Sequence, residues 1–327
     1  MDWLRGPFAG RSVFVTGAAG IVGSRLVRSL LEDEASVIAL IRDEDPRSEL
    51  IRSGDADLAI RVHGSLEDPM LLARVIGQYS VDAVFHLGAQ TQVTFSHSQP
   101  FLTLEANVRG TYNLLEAVRR ADRAVESIVV ASSDKAYGES ASLPYREDHP
   151  LAGRNIYEAS KSAADLLATA YAHSFGLPIA VARCGNIYGP GDLNWDRIVP
   201  GTIRALLEGK RPIIRSDGTS LRDYLHVDDA ITGYLRLGAA LKEGREHGQA
   251  FNFGNGEPVA VLELVVAIAK AVGRADLSPD IRAEASNEIA AQWLDSTKAR
   301  TRLDWEPIVA LAEGLSQTVG WYRDVLS

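Results

Sequence analysis

Tyr157 and Lys161 stand four residues apart in the run Tyr157-Glu158-Ala159-Ser160-Lys161. The run reads as the opening of a helix that continues to residue 172, which puts both side chains on one face, one turn apart. A tyrosine hydroxyl is a poor base near its ordinary pKa of about 10, but a neighbouring ammonium favours the phenolate. Such a pair can take a proton from an alcohol. A Tyr and a Lys at this spacing are also commonplace on solvated helices, so the pair gains meaning only from what accompanies it.

Two further runs accompany it. Ser132-Ser133-Asp134-Lys135-Ala136-Tyr137-Gly138 follows an apolar stretch and so sits at the carboxyl end of a predicted strand, where open α/β sheets place their ligands. The Ser133 hydroxyl can bond a reacting oxygen, and Asp134 and Lys135 set an acid and a base candidate side by side. Taken alone, the same run reads equally as a helix cap or a solvated turn. Gly17-Ala18-Ala19-Gly20-Ile21-Val22-Gly23 lies between the first predicted strand and the first predicted helix. Glycines there permit a tight turn and let a pyrophosphate approach the helix N-terminus, although their spacing differs from G-x-G-x-x-G.

The elements that must position these groups follow from periodicity. Residues 12–15 and 37–41 read as strands around a helix over 21–31, a βαβ unit. Further strand-like runs at 83–87, 127–131 and 179–182 are each separated by enough chain for a crossover helix. The alternation predicts an α/β fold with a doubly wound parallel sheet. Past Asn186 the texture changes to the loop Tyr188-Gly189-Pro190-Gly191-Asp192 and a basic span holding Arg197, Arg204, Lys210, Arg211, Arg215 and Arg222. Residues 1–185 are expected to form a dinucleotide-binding domain, with 225–255 returning to it, and 186–327 a smaller, discontinuous substrate-binding domain.

Composition bounds the partners. At 327 residues and 46% hydrophobic, the chain can bury a large core. No window approaches 18 consecutive apolar residues, and the opening Met1-Asp2-Trp3-Leu4-Arg5 lacks a leader-like apolar stretch, so no membrane partner and a cytoplasmic location are expected. The net charge of −9 argues against general nucleic-acid binding. Cys184 is the single cysteine and has no disulfide partner within the chain. His63, His97 and His149 have no ligand-like spacing, and no metal is expected.

In their order, these motifs resemble the extended short-chain dehydrogenase/reductase superfamily, the nucleotide-sugar epimerases and dehydratases with a Rossmann fold. His86-Leu87-Gly88-Ala89-Gln90, Asn107-Val108-Arg109-Gly110-Thr111, Arg183-Cys184-Gly185-Asn186, Arg222-Asp223-Tyr224 and Asn252-Phe253-Gly254 carry the likeness along nearly the whole chain. The resemblance implies that Tyr157 takes the proton of a sugar 4-hydroxyl, that Lys161 holds the cofactor ribose and tunes Tyr157, and that Ser133 assists. Where many dehydratases read Asp-Glu, this chain has Asp134-Lys135, a form similar to nucleotide-sugar 4,6-dehydratases of the CDP-glucose type. By that likeness Asp134 protonates the departing 6-hydroxyl and Lys135 removes the C5 proton. To act so Lys135 must be neutral, through burial or a nearby cation such as Lys161. Alternatively Lys135 pairs with a carboxylate or a substrate phosphate, and the chain is a 4-epimerase or, more remotely, a non-catalytic cofactor-binding protein.

The implied cofactor is NAD(P), held by Gly17, Gly20, Ile21, Val22, Gly23, Leu87, Ala89 and Asn107 together with Tyr157 and Lys161. Ile41 stands where an acidic residue would select NAD, and Arg42 follows it. Leu40-Ile41-Arg42 is similar to NADP-using relatives, which favours NADP, although Asp43 can still meet a ribose hydroxyl. Gln90, Asn186, Arg197 and Arg222 are the candidates for the nucleotide-diphosphate sugar, the arginines because their fork matches phosphate oxygens. The glycine loop lacks the aromatic and lysine usual in the CDP-glucose type, and Arg222-Asp223-Tyr224 looks more like dTDP- or UDP-sugar enzymes, so the nucleotide base stays open. The resemblance also implies a homodimer, through the helices near Asn107 and after Tyr157.

Overall fold

The computed structural model describes residues 6–284 and 289–326. The first half of the chain alternates strand and helix: β1 (Ser12–Thr16), α1 (Ile21–Glu32), β2 (Ser36–Ile41), β3 (Ile60–His63), α2 (Pro69–Gln78), β4 (Ala83–His86), α3 (Gly110–Arg119), β5 (Ser127–Ser133), α4 (Ile156–Phe175) and β6 (Ile179–Cys184). The second half supplies β7 (Asn186–Tyr188), α5 (Ile198–Leu207), β8 (Leu221–Arg222), β9 (Tyr224–His226), α6 (Val227–Lys242), β10 (Ala250–Phe253), β11 (Val259–Ala260), α7 (Val261–Val272), β12 (Ala291–Gln292) and α8 (Leu311–Leu326). Short helical turns fill several of the connections.

Seven strands form one parallel sheet in the order β10-β6-β5-β4-β1-β2-β3. A parallel sheet needs cover on both faces, and its strands are accordingly apolar without a break: Val13, Phe14 and Val15 of β1 are all fully buried. Their side chains alternate. Val13 and Val15 face α1 and α6, packing with Leu26, Leu30 and Leu237, whereas Phe14 faces α2, α3 and α4, with Leu72, Leu114 and Ala168. Each such leucine removed from water contributes roughly 1.5–3 kcal/mol before entropy is counted. This is the doubly wound fold that the alternation predicted, in the Rossmann strand order with a seventh strand added.

A second core gathers α5, α7 and α8 around Ile203, Leu206, Leu264, Ile268 and Tyr322. Beside it lie the pair β7·β9 and the small sheet β11-β8-β12. Residues 250–253 run in the large sheet, where Phe253 pairs with Cys184.

Three local details set up the site. β5 continues two residues past the predicted end because Ser132 and Ser133 pair with Arg183 and Cys184 of β6; polar side chains at a strand terminus read as loop in the sequence. α4 opens on a capping box in which Glu158 N–H donates to Asn155 Oδ1 (2.9 Å) and Asn155 N–H donates to Glu158 Oε2 (3.3 Å). It ends at Gly176, whose φ of +67° closes the last turn. Asn107 falls on a wide π-turn, Glu105–Arg109, rather than on a regular helix.

Candidate active site

A cavity of about 860 Å³ opens at the carboxyl ends of β5, β6 and β7, beneath α5. Its lining brings Ser133, Asp134, Lys135, Tyr157 and Lys161 together with Arg197 and Arg222, and it reaches Ile21, Val22 and Leu87 at the first crossover. The helix α4 delivers Tyr157 and Lys161 to one wall. The strand β5 and the 3-10 turn that follows it, Asp134–Tyr137, deliver the acid and base candidates to the next.

Lys161 is buried, and its ammonium donates to the Ala131 carbonyl oxygen at 3.0 Å. Burial pushes it down to about 8. The Tyr157 phenol is pushed up by burial, opposed by the Arg197 guanidinium and by a hydrogen bond with Ser133. The cation facing the tyrosine is therefore Arg197, where the sequence alone suggested Lys161, because Lys161 is drawn down onto the β5 backbone.

Ser133 Oγ donates to Asp134 Oδ1 at 3.0 Å and accepts from the Lys135 N–H at 3.2 Å. It is thus the cap of the 3-10 turn and also lines the cavity. Asp134 is 1% exposed, and its Oδ2 has no hydrogen-bond donor. The adjacent Ser132 Oγ is likewise buried without a partner. A buried hydroxyl left this way is costly unless a ligand meets it, and Ser132 lines the cavity.

Lys135 Nζ lies 3.7 Å from Asp134 Oδ2 and donates to the Gln292 side-chain oxygen. Burial lowers its pKa, Asp134 and Glu158 raise it, and Arg222 lowers it. The cation acting on Lys135 is Arg222 of β8 and not Lys161, which corrects the expectation: the Lys161 ammonium is bonded to the Ala131 carbonyl, whereas Arg222 stands opposite Gln292, the acceptor of Lys135. Arg197 Nη1 donates to the buried Asp192 carboxylate at 3.0 Å. Arg222 Nη1 donates to its neighbour's carbonyl at 2.8 Å, and Asn186 Nδ2 donates to the Asp223 carbonyl at 3.3 Å.

The glycine turn fits a dinucleotide. Gly17 has a φ of +69°, and a Cβ there would lie 2.7 Å from the Gly88 nitrogen. A Cβ on Gly23 would collide with the Gly17 carbonyl oxygen. At Gly20, by contrast, a Cβ would make only an ordinary 3.4 Å contact, so the chain itself has no need of glycine there. What the bare Gly20 provides is open access to the N-terminus of α1, which has no side-chain cap and no acidic residue in its first turn. A phosphate has both the room and the positive end of the helix dipole.

The other sequence candidates are distributed around this centre. Asn107 is 2% exposed; its amide donates to Ser160 Oγ (2.9 Å) and the Gln90 carbonyl (3.0 Å), and its oxygen accepts from the Gln90 N–H (2.7 Å). It thereby ties the loop holding Ala89 and Gln90 to α4. Arg42 lies at the tip of β2, exposed, with its Nε donating to Asp43 at 2.7 Å. Sequence reasoning missed Asp192 as the partner of Arg197, and it missed Gln292. Nothing local marks Gln292; only the register of β12 against β8 shows where it goes.

The NAD dependent epimerase/dehydratase family matches residues 13–254. A dTDP-glucose 4,6-dehydratase of Streptomyces griseus is 34% identical over 95% of this chain and 94% of its own. A UDP-glucose 4-epimerase of Mycolicibacterium smegmatis is also 34% identical, over 95% and 98%. Among solved structures, the dTDP-glucose 4,6-dehydratase of Streptomyces venezuelae with NAD bound superposes with a TM-score of 0.87 at 32% identity, covering 96% of this chain and 97% of that one. Dehydratases and epimerases stand equally near, and on the breadth of these matches the chain belongs to the NAD-dependent epimerase/dehydratase family of nucleotide-sugar enzymes.

Proposed function

We propose that the protein is a nucleotide-diphosphate-hexose 4,6-dehydratase. The observation that carries this reading is the adjacent buried pair Asp134 and Lys135, Nζ to Oδ2 at 3.7 Å, in the cavity that also holds Tyr157 and Lys161. Inversion at C4 alone needs no proton transfer at C5 or at the 6-hydroxyl, so an acid and a base candidate beyond Tyr157 support the elimination.

In this reading Tyr157 takes the proton of the sugar 4-hydroxyl, with Ser133 bonding the same oxygen. A bound NAD(P) would supply the hydride acceptor for C4 and the donor for C6. Oxidation at C4 acidifies the C5 proton, which Lys135 removes while Asp134 protonates the departing 6-hydroxyl, so that one water leaves. Lys135 then returns a proton to C5, giving a 4-keto-6-deoxy sugar. Burial and Arg222 lower the Lys135 pKa, the direction this requires, against the opposing pull of Asp134 and Glu158. Lys161 holds the cofactor ribose, beside Ile21, Val22 and Leu87, and Gly17, Gly20 and Gly23 shape the pyrophosphate turn. Asn186, Arg197, Arg222 and Gln90 receive the substrate diphosphate and sugar. Arg42 favours NADP, its guanidinium meeting the 2′-phosphate once released from Asp43. Residues 1–185 with 225–255 serve the cofactor and the remainder serves the substrate. Phe101, Leu102 and Leu104, Tyr112 of α3 and Leu166 of α4 expose apolar side chains, which supports a homodimer through these helices.

The test is to incubate the purified protein with CDP-, dTDP-, UDP- and GDP-linked glucose, with NAD or NADP, and to weigh the products by mass spectrometry. Loss of one water from one of them is expected and names the nucleotide. An unchanged mass with altered stereochemistry at C4 overturns the reading in favour of the epimerase.

A further inference from the structure

Gln292 is fully buried, on the two-residue strand β12, directly opposite Arg222 in the register of β8. It comes from a part of the chain with no sequence motif for chemistry, yet its side chain ends at the reacting groups. The Lys135 ammonium donates to its Oε1. Its Nε2 points the other way, donating to the Gly138 carbonyl at 3.5 Å. A carbonyl oxygen can only accept, so Gly138 fixes which end of the amide carries the nitrogen and leaves Oε1 for Lys135. Gly138 is itself held: its φ is +69°, and a Cβ there would run into the Ala152 carbonyl.

We propose that Gln292 is a positioning residue for Lys135, a neutral acceptor that aims the amine into the cavity without locking a proton onto it. The inference rests on the dehydratase reading above. Lysine is a point charge on a flexible stem and needs an anchor if its nitrogen is to meet one carbon-bound proton. The charged groups facing Lys135 are Asp134 on its own turn, Glu158 on α4 and Arg222 on β8. The two carboxylates favour the ammonium; burial and Arg222 favour the amine. A third carboxylate at the anchoring position would tip this balance toward a permanent ammonium, which cannot accept the C5 proton. An amide supplies the same geometry with no charge.

The experiment uses the full-length protein with whichever of the four nucleotide-linked glucoses loses water, comparing wild type, Gln292→Glu and Gln292→Ala. Two steps are followed separately: formation of reduced nicotinamide in a single turnover, which depends on Tyr157, and loss of water by mass. For Gln292→Glu, the pH at which water loss reaches half its maximum is expected to rise by about one unit or more, as an added opposite charge raises a lysine pKa. For Gln292→Ala, water loss is expected to slow by about 100-fold at unchanged KM, the scale of a misplaced group. In both variants reduced nicotinamide forms at the wild-type rate, and cofactor binding by fluorescence titration is unchanged. If Gln292→Ala does not fold, the nearly isosteric Gln292→Glu carries the test alone. A wild type that dehydrates while Gln292→Glu keeps its pH profile overturns this inference and leaves the dehydratase reading standing. A wild type that leaves substrate mass unchanged overturns both.

Discussion

Replacing Asp165 by Asn should unsettle the active site from behind. Asp165 sits on α4 two turns beyond Tyr157 and receives a forked contact from Arg183 of β6, Nε to Oδ2 at 2.8 Å and Nη2 to Oδ1 at 2.9 Å. Both side chains are almost wholly buried, 7% and 1% exposed. The third arm of Arg183 donates to Tyr137 OH (2.8 Å) and to the Glu147 carbonyl (3.0 Å). Tyr137 closes the 3-10 turn that carries Asp134 and Lys135, so this one guanidinium joins the helix of Tyr157 to the turn of the acid and base. Burial lowers the Arg183 pKa, but Asp165 more than offsets it and holds the cation well above its ordinary value. With Asn at 165 the cation stays buried and its counter-charge is gone, a loss of about 3–5 kcal/mol for a broken buried pair. Removing both charges in the double variant Asp165→Leu/Arg183→Met should recover most of that loss, since an apolar pair of similar volume is often as stable. Urea unfolding followed by circular dichroism measures both, at pH 7 without cofactor. A single variant that loses less than about 1 kcal/mol, the scale of a solvent-exposed pair, would refute the argument by showing that water reaches Arg183.

Three further outcomes follow from the same geometry. Lys135→Met should slow loss of water by about 10²–10⁴-fold while reduced nicotinamide still forms in a single turnover; equal slowing of both steps would remove Lys135 from the C5 proton. Arg42→Ala should weaken NADP binding about tenfold, as for a lost hydrogen bond to a charged group, with NAD binding unchanged by fluorescence titration; an equal effect on both would mean that Arg42 does not read the 2′-phosphate. Lys161→Met should abolish turnover yet stabilise the fold at pH 7, on the order of 3 kcal/mol, because burial holds the Lys161 pKa down at about 8 from 10.5. Between those values the unfolded chain keeps a proton that the folded chain has released, so wild-type stability gains a term that grows from pH 8 toward 10.5, and the variant lacks it.

The candidate residues that line the cavity were legible in the sequence because they are local. Ser133, Asp134 and Lys135 form one contiguous run, Tyr157 and Lys161 one helical turn, and each follows an element whose periodicity is plain. The parallel, doubly wound sheet was legible for the same reason, since alternating apolar runs and crossover lengths admit few topologies, although the edge strand Ile60–His63 was not read. What escaped was pairing at a distance. That Arg222 faces Lys135 while Arg197 faces Tyr157 depends on how the segment after Asn186 folds back, and no spacing along the chain encodes it. Gln292 stands 157 residues from Lys135, and an amide in a short β-strand carries no periodic or compositional signal.

This division has a chemical consequence. The groups proposed to transfer protons come from residues 133–161, whereas those that set their charge, Arg197, Arg222 and Gln292, come from the C-terminal half. A lysine on an isolated strand end would be protonated near its ordinary pKa of about 10.4. Only when β8 and β12 close over it do burial and the Arg222 cation lower that value, while Gln292 holds the nitrogen without supplying a negative charge. The proposed base therefore takes its environment from both halves of the chain, and substitutions in β8 or β12 should alter the pH dependence of the reaction while the run Ser133-Asp134-Lys135 stays intact.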